Sequence, residues 1–493
     1  MRVAIIGGGL SGLATAVQLN LMHQQRLASG EDCSLQIQLF EAGDRVGGVI
    51  HTERIGDWVI DHGADMFATK PPAAIELMEK LGATDRLIEP KPNRRGARIC
   101  FGGNLVPIPD GFVLMRATRT RPMWTTPLLS LMGKLRFFAE RFVSARTPSG
   151  NDDESVASFV RRRMGNEVLD RIVAPLSAGI YTADVNKLSM RSTMGPIWAM
   201  ERSHGSLAAA TKARQKSGED SVERSSTGAR YGQFRSFPGG MIELIKTLSD
   251  SLPENTIQLQ SKIDSLHRDD SNGTWNVVQN PGDSSPFDHV VIALPPPAAA
   301  KLLEPVSTDA AKSLRQIESA STAIVVLVVN RSDVAKNIDT FGFVVPASEN
   351  RRILAGSFAS HKFEGRADDD QVIIRTFIGG ATQSELLHNE DETLIDIAAE
   401  ELAEIIGLSG KPLWATVVRW NQAMPQYHVG HHQKIEQLES AIAPIEGLSV
   451  MNNAMHGVGI APVIAQAGKV ADAIFGALGS GGFDTPKTLN SQR

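Results

Sequence analysis

Val3-Ala4-Ile5-Ile6-Gly7-Gly8-Gly9-Leu10-Ser11-Gly12 stands two residues from the N-terminus and decides the fold. Val3 to Ile6 form a short run of buried-strand type, and after Gly12 the apolar positions Leu13, Val17, Leu19 and Leu21 follow a helical period. The order is strand, glycine turn, helix. In G-x-G-x-x-G each glycine has its own steric reason: Gly7 permits the tight turn, Gly9 lets backbone N–H groups approach a pyrophosphate, and Gly12 allows the helix to pack closely on the strand. Phosphates then sit at the positive end of the helix, beside Leu10 and Ser11. The motif needs a second strand ending in an acidic residue that can bond a ribose hydroxyl. Leu35, Ile37 and Leu39 alternate with polar residues and lead through Phe40 to Glu41. Gln24 to Ser34 lengthen the unit and read as a polar loop after the helix.

The next stretch, Glu41-Ala42-Gly43-Asp44-Arg45-Val46-Gly47-Gly48-Val49-Ile50, resembles the second glycine motif of the amine-oxidase-type flavoproteins. Arg45 offers guanidinium donors to a phosphate, and Gly47 and Gly48 let the backbone pass close to a cofactor. FAD is favoured over NAD, with Ala42, Arg45, Gly48 and Val49 at its site. Asp61-His62-Gly63-Ala64-Asp65 occupies the place of that superfamily's flavin-side loop, which implies cofactor contacts for His62, Gly63, Ala64 and Asp65; read as plain residues, it is also an ordinary polar turn.

The chain returns to the same sheet late. Strand-like stretches at Thr256 to Gln260, with Ile263 just beyond as a further cofactor candidate, and at Trp275 to Val278 precede Phe287 to Pro295, a buried strand stopped by three prolines. Leu448 to Met451 is a last strand, followed by a glycine-bearing turn through Val458, Gly459 and Ile460 and a helix predicted from about Val463 to Ala477. Glycines at that helix start can point amides at a flavin.

Over nearly its whole length the sequence resembles the protoporphyrinogen oxidase family, including its coproporphyrinogen III oxidase branch. The residues that carry the resemblance are Arg98 to Pro109, similar to the family's hairpin; Arg161 to Gly165, Ala174 to Tyr181 and Leu188 to Met190, similar to its middle helices; and Phe237 to Met241, Met424 to His431 and Gly457 to Ile460, similar to its later signatures. The resemblance implies non-covalent FAD, a porphyrinogen substrate, molecular oxygen as oxidant, hydrogen peroxide as product, and a place in haem biosynthesis. It is compatible with a homodimer. The family places an arginine just before the hairpin, where it pairs with a substrate propionate; counting back from Gly102-Gly103 reaches Ala97, so Arg98, one residue later, is the substrate-binding candidate. Ala461-Pro462 departs from the family's pattern after Ile460.

The fold expected is α/β: a Rossmann-type FAD-binding domain assembled from distant segments (1–70, 233–300 and 445–480), a mixed-sheet substrate domain (71–98 and 301–444) and a helical region (99–205), followed by a flexible loop (206–232) and ending in a tail (481–493). The 493 residues, 42% hydrophobic and 21% charged, suit a multi-domain globular enzyme. Fifty Lys and Arg against 55 Asp and Glu leave a net charge of −5, without the field that recruits nucleic acid. Two cysteines, Cys33 and Cys100, supply no disulfide framework, and none stands near the C-terminus to bond a flavin. His428, His431 and His432 lack the spacing of a metal site and read as loop or helix-start residues, and Asp368 to Asp370 as a solvated turn. With no secretion signal and no apolar stretch long enough to span a bilayer, a cytoplasmic setting is expected. Thr126-Pro127 reads as N-cap and N1 of a helix with an apolar face, Leu128, Leu131, Met132, Leu135, Phe138 and Phe142. That face reads first as core-facing; with Arg116, Arg119 and Arg121 beside it, it also suits peripheral docking on the inner face of the cell membrane.

Two other readings compete. An amine oxidase or carotenoid desaturase shares the cofactor motifs, although only three tyrosines, Tyr181, Tyr231 and Tyr427, and Ala454-Met455-His456 argue against a paired aromatic cage. A non-catalytic binding protein of the GDP-dissociation-inhibitor type shares the fold, but here the phosphate loop and Glu41 are intact.

Overall fold

The computed structural model describes residues 1–30, 34–91, 96–113, 115–146, 152–218, 233–280 and 282–479. Among these, one sheet is five-stranded and wholly parallel, in the spatial order Ile257–Gln258, Gln36–Phe40, Arg2–Ile6, His289–Ile292, Leu448–Val450. Parallel strands covered on both faces require continuous apolar sequence. Val3 to Ile5 and Val290 to Ile292 meet that requirement and are fully buried. The sheet is complete only after the chain has come back to it from two distant segments.

The first helix, Leu10–Ala28, lies on one face beside the C-terminal helix, Ile460–Gly479, and Leu13, Ala14 and Val17 share a core with Ala461, Ile464 and Ala467. The two helices run in the same direction. Midway along them the Gln18 side chain lies 3.8 Å from where a Cβ on Gly468 would stand, and near their ends Arg26 lies 4.8 Å over the Phe475 ring. Both N-termini therefore face the same cleft at the carboxyl ends of the strands.

A second sheet is seven-stranded and mixed, in the order Trp414–Pro425, Ser319–Asn330, Gln371–Gly379, Ala355–Phe358, Gly342–Val344, Ala97–Phe101, Asn104–Pro107. Helix Asp391–Ile406 covers one face, packing Leu394, Ala398 and Leu402 on Val325, Leu327 and Ile374. On the other face Ile324, Val326 and Ile373 pack on Ile60 and Ala359, and the rest borders a cavity and the helical region, whose core includes Phe112, Phe137, Phe159, Ile172 and Ile197. At its centre Arg163 is fully buried and bonded to Glu140 and Glu201.

The structure corrects several boundaries. The hairpin assigned by sequence to the helical region joins the second sheet, through the parallel register Gly342↔Ala97 to Val344↔Ile99. Leu207–Lys216, expected within a loop, is a helix: Ser206 caps it, and the Glu140 carboxylate accepts the N–H groups of Leu207 and Ala208 at 2.9 and 3.1 Å, a tertiary stabilisation with no local signal. The remainder of that loop, 219–232, the tail 481–493, and Cys33 lie outside the described residues. The first helix continues to Ala28, five residues into the expected loop, and the last begins at Ile460 rather than Val463. Thr126 is not a helix N-cap but the C-cap of the short helix Arg121–Thr125. The helix is Leu131–Phe138, capped by Ser130, whose own N–H and hydroxyl are held by Glu167 at 2.7 and 2.6 Å. No helix among the described residues is long and apolar enough to cross a membrane.

Candidate functional site

The three motif glycines answer to different constraints. A Cβ on Gly7 would lie 2.6 Å from the Ala293 carbonyl oxygen, and one on Gly12 would lie 2.0 Å from that of Gly7. Those two are required by packing. At Gly9 a Cβ would meet nothing within 4 Å, and φ is −67°, which any residue can adopt. Gly9 is the N-cap of the first helix, without a side-chain cap and without an acid in the first turn. The amides of Leu10 and Ser11 and the positive end of the helix thus face open space, the arrangement that binds a pyrophosphate.

Glu41 ends its strand as expected. Its carboxylate accepts the N–H of Gly8 and of Gly43, each at 2.7 Å, and keeps lone pairs for a ribose hydroxyl. Glu41 and Gly43 are tied in turn to the second segment: Glu41 N–H donates to Gln258, Gln260 N–H to Gly43, and Ser261 N–H to Glu41. Ile263 begins the next strand two residues on, half-buried, and Ala42 is exposed.

The two glycine loops touch. Gly47 N–H donates to the Gly8 carbonyl at 2.8 Å, and a Cβ on Gly48 would lie 3.3 Å from the Gly9 Cα. Val49 is exposed. The Arg45 guanidinium, which sequence reasoning aimed at a phosphate, braces its own loop through the carbonyls of Val46, Gly48 and Ile50 at 3.3, 2.9 and 3.4 Å. Such a brace fixes the backbone of the loop.

In the flavin-side loop, Gly63 is a packing glycine, since a Cβ there would fall 2.0 Å from the Val49 carbonyl oxygen. His62 Nδ1 lies 3.1 Å from that of His51, and its Nε2 lies 3.1 Å from Glu53. Burial, and then the neighbouring His51, hold the His62 imidazole below its ordinary pKa. Asp65 is buried against Lys362 at 2.7 Å and Arg375 at 3.0 Å. Burial alone would raise its pKa, but the two cations prevail and keep the carboxyl well below the usual range. The side chains of His62 and Asp65 are therefore engaged with protein neighbours.

At the far end of the chain, Val458, Gly459 and Ile460 lead into the second helix N-terminus. Sequence reasoning quoted Tyr427 without assigning it a role. Its hydroxyl donates to the Asn453 carbonyl at 2.7 Å and accepts the Gly457 N–H at 2.8 Å, so a residue of the second sheet's last segment clamps the loop that carries Val458 to Ile460. Its ring stacks on His431, centroids 4.0 Å apart, and burial lowers the His431 pKa to about 4.

Between this cofactor cleft, the hairpin, the helical region and the second sheet lies a cavity of about 880 Å³. Its walls are mainly apolar, with Met66, Phe112, Leu176 and Phe377 among them, and its polar lining includes Ser177, Ser357, Lys362 and Arg375. Size and lining are those of a small-molecule site. On the sheet, Ala97, Gly342, Ser357 and Arg375 are paired in register across four adjacent strands and so point to one face, in phase with Ile99, Val344, Ala355 and Phe377, which pack toward the helical region. Arg98 stands in the opposite phase of its strand. It borders the cavity, but it is in phase with Cys100 and pairs with Phe343, both of which pack under the opposite face, and its guanidinium contacts the Leu105 carbonyl at 3.4 Å. The period of two along a strand gives the cavity side to Ala97. The guanidinium in that row belongs to Arg375.

Residues 10–475 match the family model described as flavin containing amine oxidoreductase. The chain is 30% identical over 472 residues to a coproporphyrinogen III oxidase of Bacillus subtilis, covering 95% of this chain and 97% of that one. It is 26% identical to the chloroplastic/mitochondrial protoporphyrinogen oxidase 2 of Arabidopsis thaliana, over 97% of this chain and 94% of its relative. Among solved structures, a candidate protoporphyrinogen oxidase from an Exiguobacterium species superposes with a TM-score of 0.80 at 26% identity, covering 96% of this chain and 98% of that one. The cyclohexylamine oxidase of Brevibacterium oxydans, at 19% identity and a TM-score of 0.65 over 97% of this chain and 99% of that one, shares the fold.

Proposed function

The chain belongs to the flavin containing amine oxidoreductase family, its cofactor is FAD, and from that premise we propose that it oxidises a porphyrinogen to the corresponding porphyrin in haem biosynthesis. The residues present suit the cofactor: two helix N-termini facing one cleft, an open Gly9, and Glu41 with acceptor capacity to spare. Bound FAD supplies the redox chemistry, accepting electrons in pairs and passing them to dioxygen. Six electrons and six hydrogens leave the substrate in three such rounds, and three dioxygen molecules become three of hydrogen peroxide.

The observation that carries this reading is the 880 Å³ cavity, bordered by Gly63 to Met66 of the flavin-side loop. The work of this chain's residues is to hold a bulky, largely apolar macrocycle against that border and to exclude water from it. Phe377, Ala355 and Val344 supply one apolar wall, and Phe112, Met115 and Leu176 another. The test is porphyrin fluorescence appearing in air when FAD-loaded protein receives coproporphyrinogen III or protoporphyrinogen IX, with the non-enzymatic rate subtracted. Turnover above the blank is expected for at least one. No excess over the blank with either, while FAD stays bound, would remove the reading.

Peripheral attachment to a bilayer is supported by a separate observation. Of the apolar face read first as core-facing, Leu128 is buried, but Leu131, Met132 and Phe142 are 67%, 72% and 82% exposed. Trp124, stacked on Phe138 at 4.6 Å, adds to the patch, and Arg121, Lys134 and Arg141 lie beside it. Exposed apolar side chains flanked by cations match an anionic bilayer surface. Pelleting with anionic vesicles is expected for the wild-type protein. The double variant Leu131→Asp, Phe142→Asp should lose at least about tenfold in binding, since burying each such side chain is worth about 1.5–3 kcal/mol. Equal pelleting of the two proteins would place the contact elsewhere.

A further inference from the structure

We propose that Ser357 and Arg375 form a carboxylate-binding subsite on the floor of the cavity, the seat of one propionate of the substrate. The proposal rests on the porphyrinogen reading and names residues that the sequence did not single out.

Ser357 is 7% and Arg375 2% exposed, and both line the cavity. They are direct register partners on adjacent strands, so their side chains leave the same face about 5 Å apart. Ser357 Oγ and Arg375 Nε are both buried without a hydrogen-bond partner among the described residues. A buried polar atom left unpaired is unfavourable enough that folded proteins rarely keep one without use, and here two stand side by side. Both are donors, and a guanidinium can only donate, so the missing partner is an acceptor.

The surroundings make it an anion. The rest of the guanidinium is fixed from behind, by Asp65 at 3.0 Å and by the Gly63 carbonyl. Lys362 holds the same Asp65 at 2.7 Å, so two cations share one carboxylate and the corner keeps a positive charge in a poorly solvated place. Arg366, nearby, is matched by Asp61 at 3.3 Å. Asp110 and Asp339 line the cavity from other segments.

Shape agrees with charge. From Arg375 and Ser357 the row continues through Gly342, where a Cβ would lie 2.2 Å from the Gly356 carbonyl oxygen, to the small Ala97. The neighbouring row, Phe377, Ala355, Val344 and Ile99, is apolar throughout. An apolar ring can lie over the second row while a carboxylate arm reaches the polar end of the first. That is the division of a porphyrinogen into macrocycle and propionates.

Ser357→Ala tests the subsite without disturbing the fold, because it deletes a hydroxyl that makes no protein hydrogen bond. FAD-loaded wild-type and variant proteins are titrated, by fluorescence quenching in one detergent, with coproporphyrin III and with its tetramethyl ester. Thermal midpoints of the two proteins should agree. The variant should bind the free acid about tenfold more weakly, as expected for loss of a hydrogen bond to a charged group, and bind the ester within about twofold of wild type. Unchanged affinity for the free acid, or equal weakening for acid and ester, overturns the subsite alone. Wild-type protein that binds neither porphyrin overturns the porphyrinogen reading and the subsite with it.

Discussion

Gly9→Asp is expected to yield a protein that folds at least as well as wild type and carries no flavin. The substitution meets no steric obstacle, since φ is −67° and the Cβ position is open. As an N-cap, Asp accepts a first-turn amide that is otherwise unpaired, worth about 1 kcal/mol to the helix. The same carboxylate then occupies the amides that a pyrophosphate needs and repels it. Juxtaposed like charges cost several kcal/mol, so FAD affinity should fall by at least about a thousandfold. Flavin content after purification, an FAD titration and the apoprotein's thermal midpoint measure both halves of the expectation. A yellow variant with wild-type affinity would remove the Gly9 turn from the phosphate site. Gly12 affords the contrast: an added Cβ would meet the Gly7 carbonyl oxygen at 2.0 Å, so Gly12→Ala damages the fold itself.

The second large effect lies far from the flavin. Arg163 is fully buried and donates to Glu201 at 2.6 Å, to Glu140 at 2.8 Å and to the Gly205 carbonyl at 2.6 Å, joining three segments of the helical region. Arg163→Met retains the bulk and leaves two carboxylates buried. Removing one partner of a buried ionic network typically destabilises by about 3–5 kcal/mol. Hydrogen exchange and limited proteolysis of this region should therefore speed up by about a hundredfold or more, with Arg163→Met, Glu201→Gln recovering part of the loss. Burial alone would raise the Glu201 pKa, but hydrogen bonds from Arg162 and Arg163 outweigh it and hold the pKa below its ordinary value of 4.5. A depressed folded-state pKa means stabilisation that is present above pH 4.5 and lost as the pH falls through the folded value. The gap between wild type and Arg163→Met should thus be full at neutral pH and narrow on acidification. A gap that widened in acid would contradict the assignment.

Much of the cofactor site was legible because its constraints are local. A β-strand, a turn that only glycine fits and a helix start are written in consecutive residues, and Glu41 follows from the end of the next strand. The substrate side was not legible in this way. Counting residues back from Gly102-Gly103 reaches Ala97, and Arg98 was preferred one residue later for its charge; but a strand turns alternate side chains to opposite faces, so Arg98 borders the cavity while its phase is that of Cys100 and Phe343. Ser357 and Arg375 lie on different strands and meet through register alone. Lys362 reaches Asp65 across 297 residues, so no local pattern announces that the Asp65 side chain is already engaged. The apolar stripe of Leu131–Phe138 has the periodicity of a core helix, and periodicity does not say whether another layer covers it.

By itself, then, the sequence determined the Rossmann-type unit, the cofactor and the chain's return to complete the unit, together with the resemblance that pointed to the reaction. Those follow from steric limits on single residues and from short periodic patterns, which survive in one dimension. The tertiary structure alone decided which side chains face the cavity, which charges are already neutralised and which apolar surface remains uncovered. Each depends on pairing register and on packing between distant segments, and these exist only once the chain has folded.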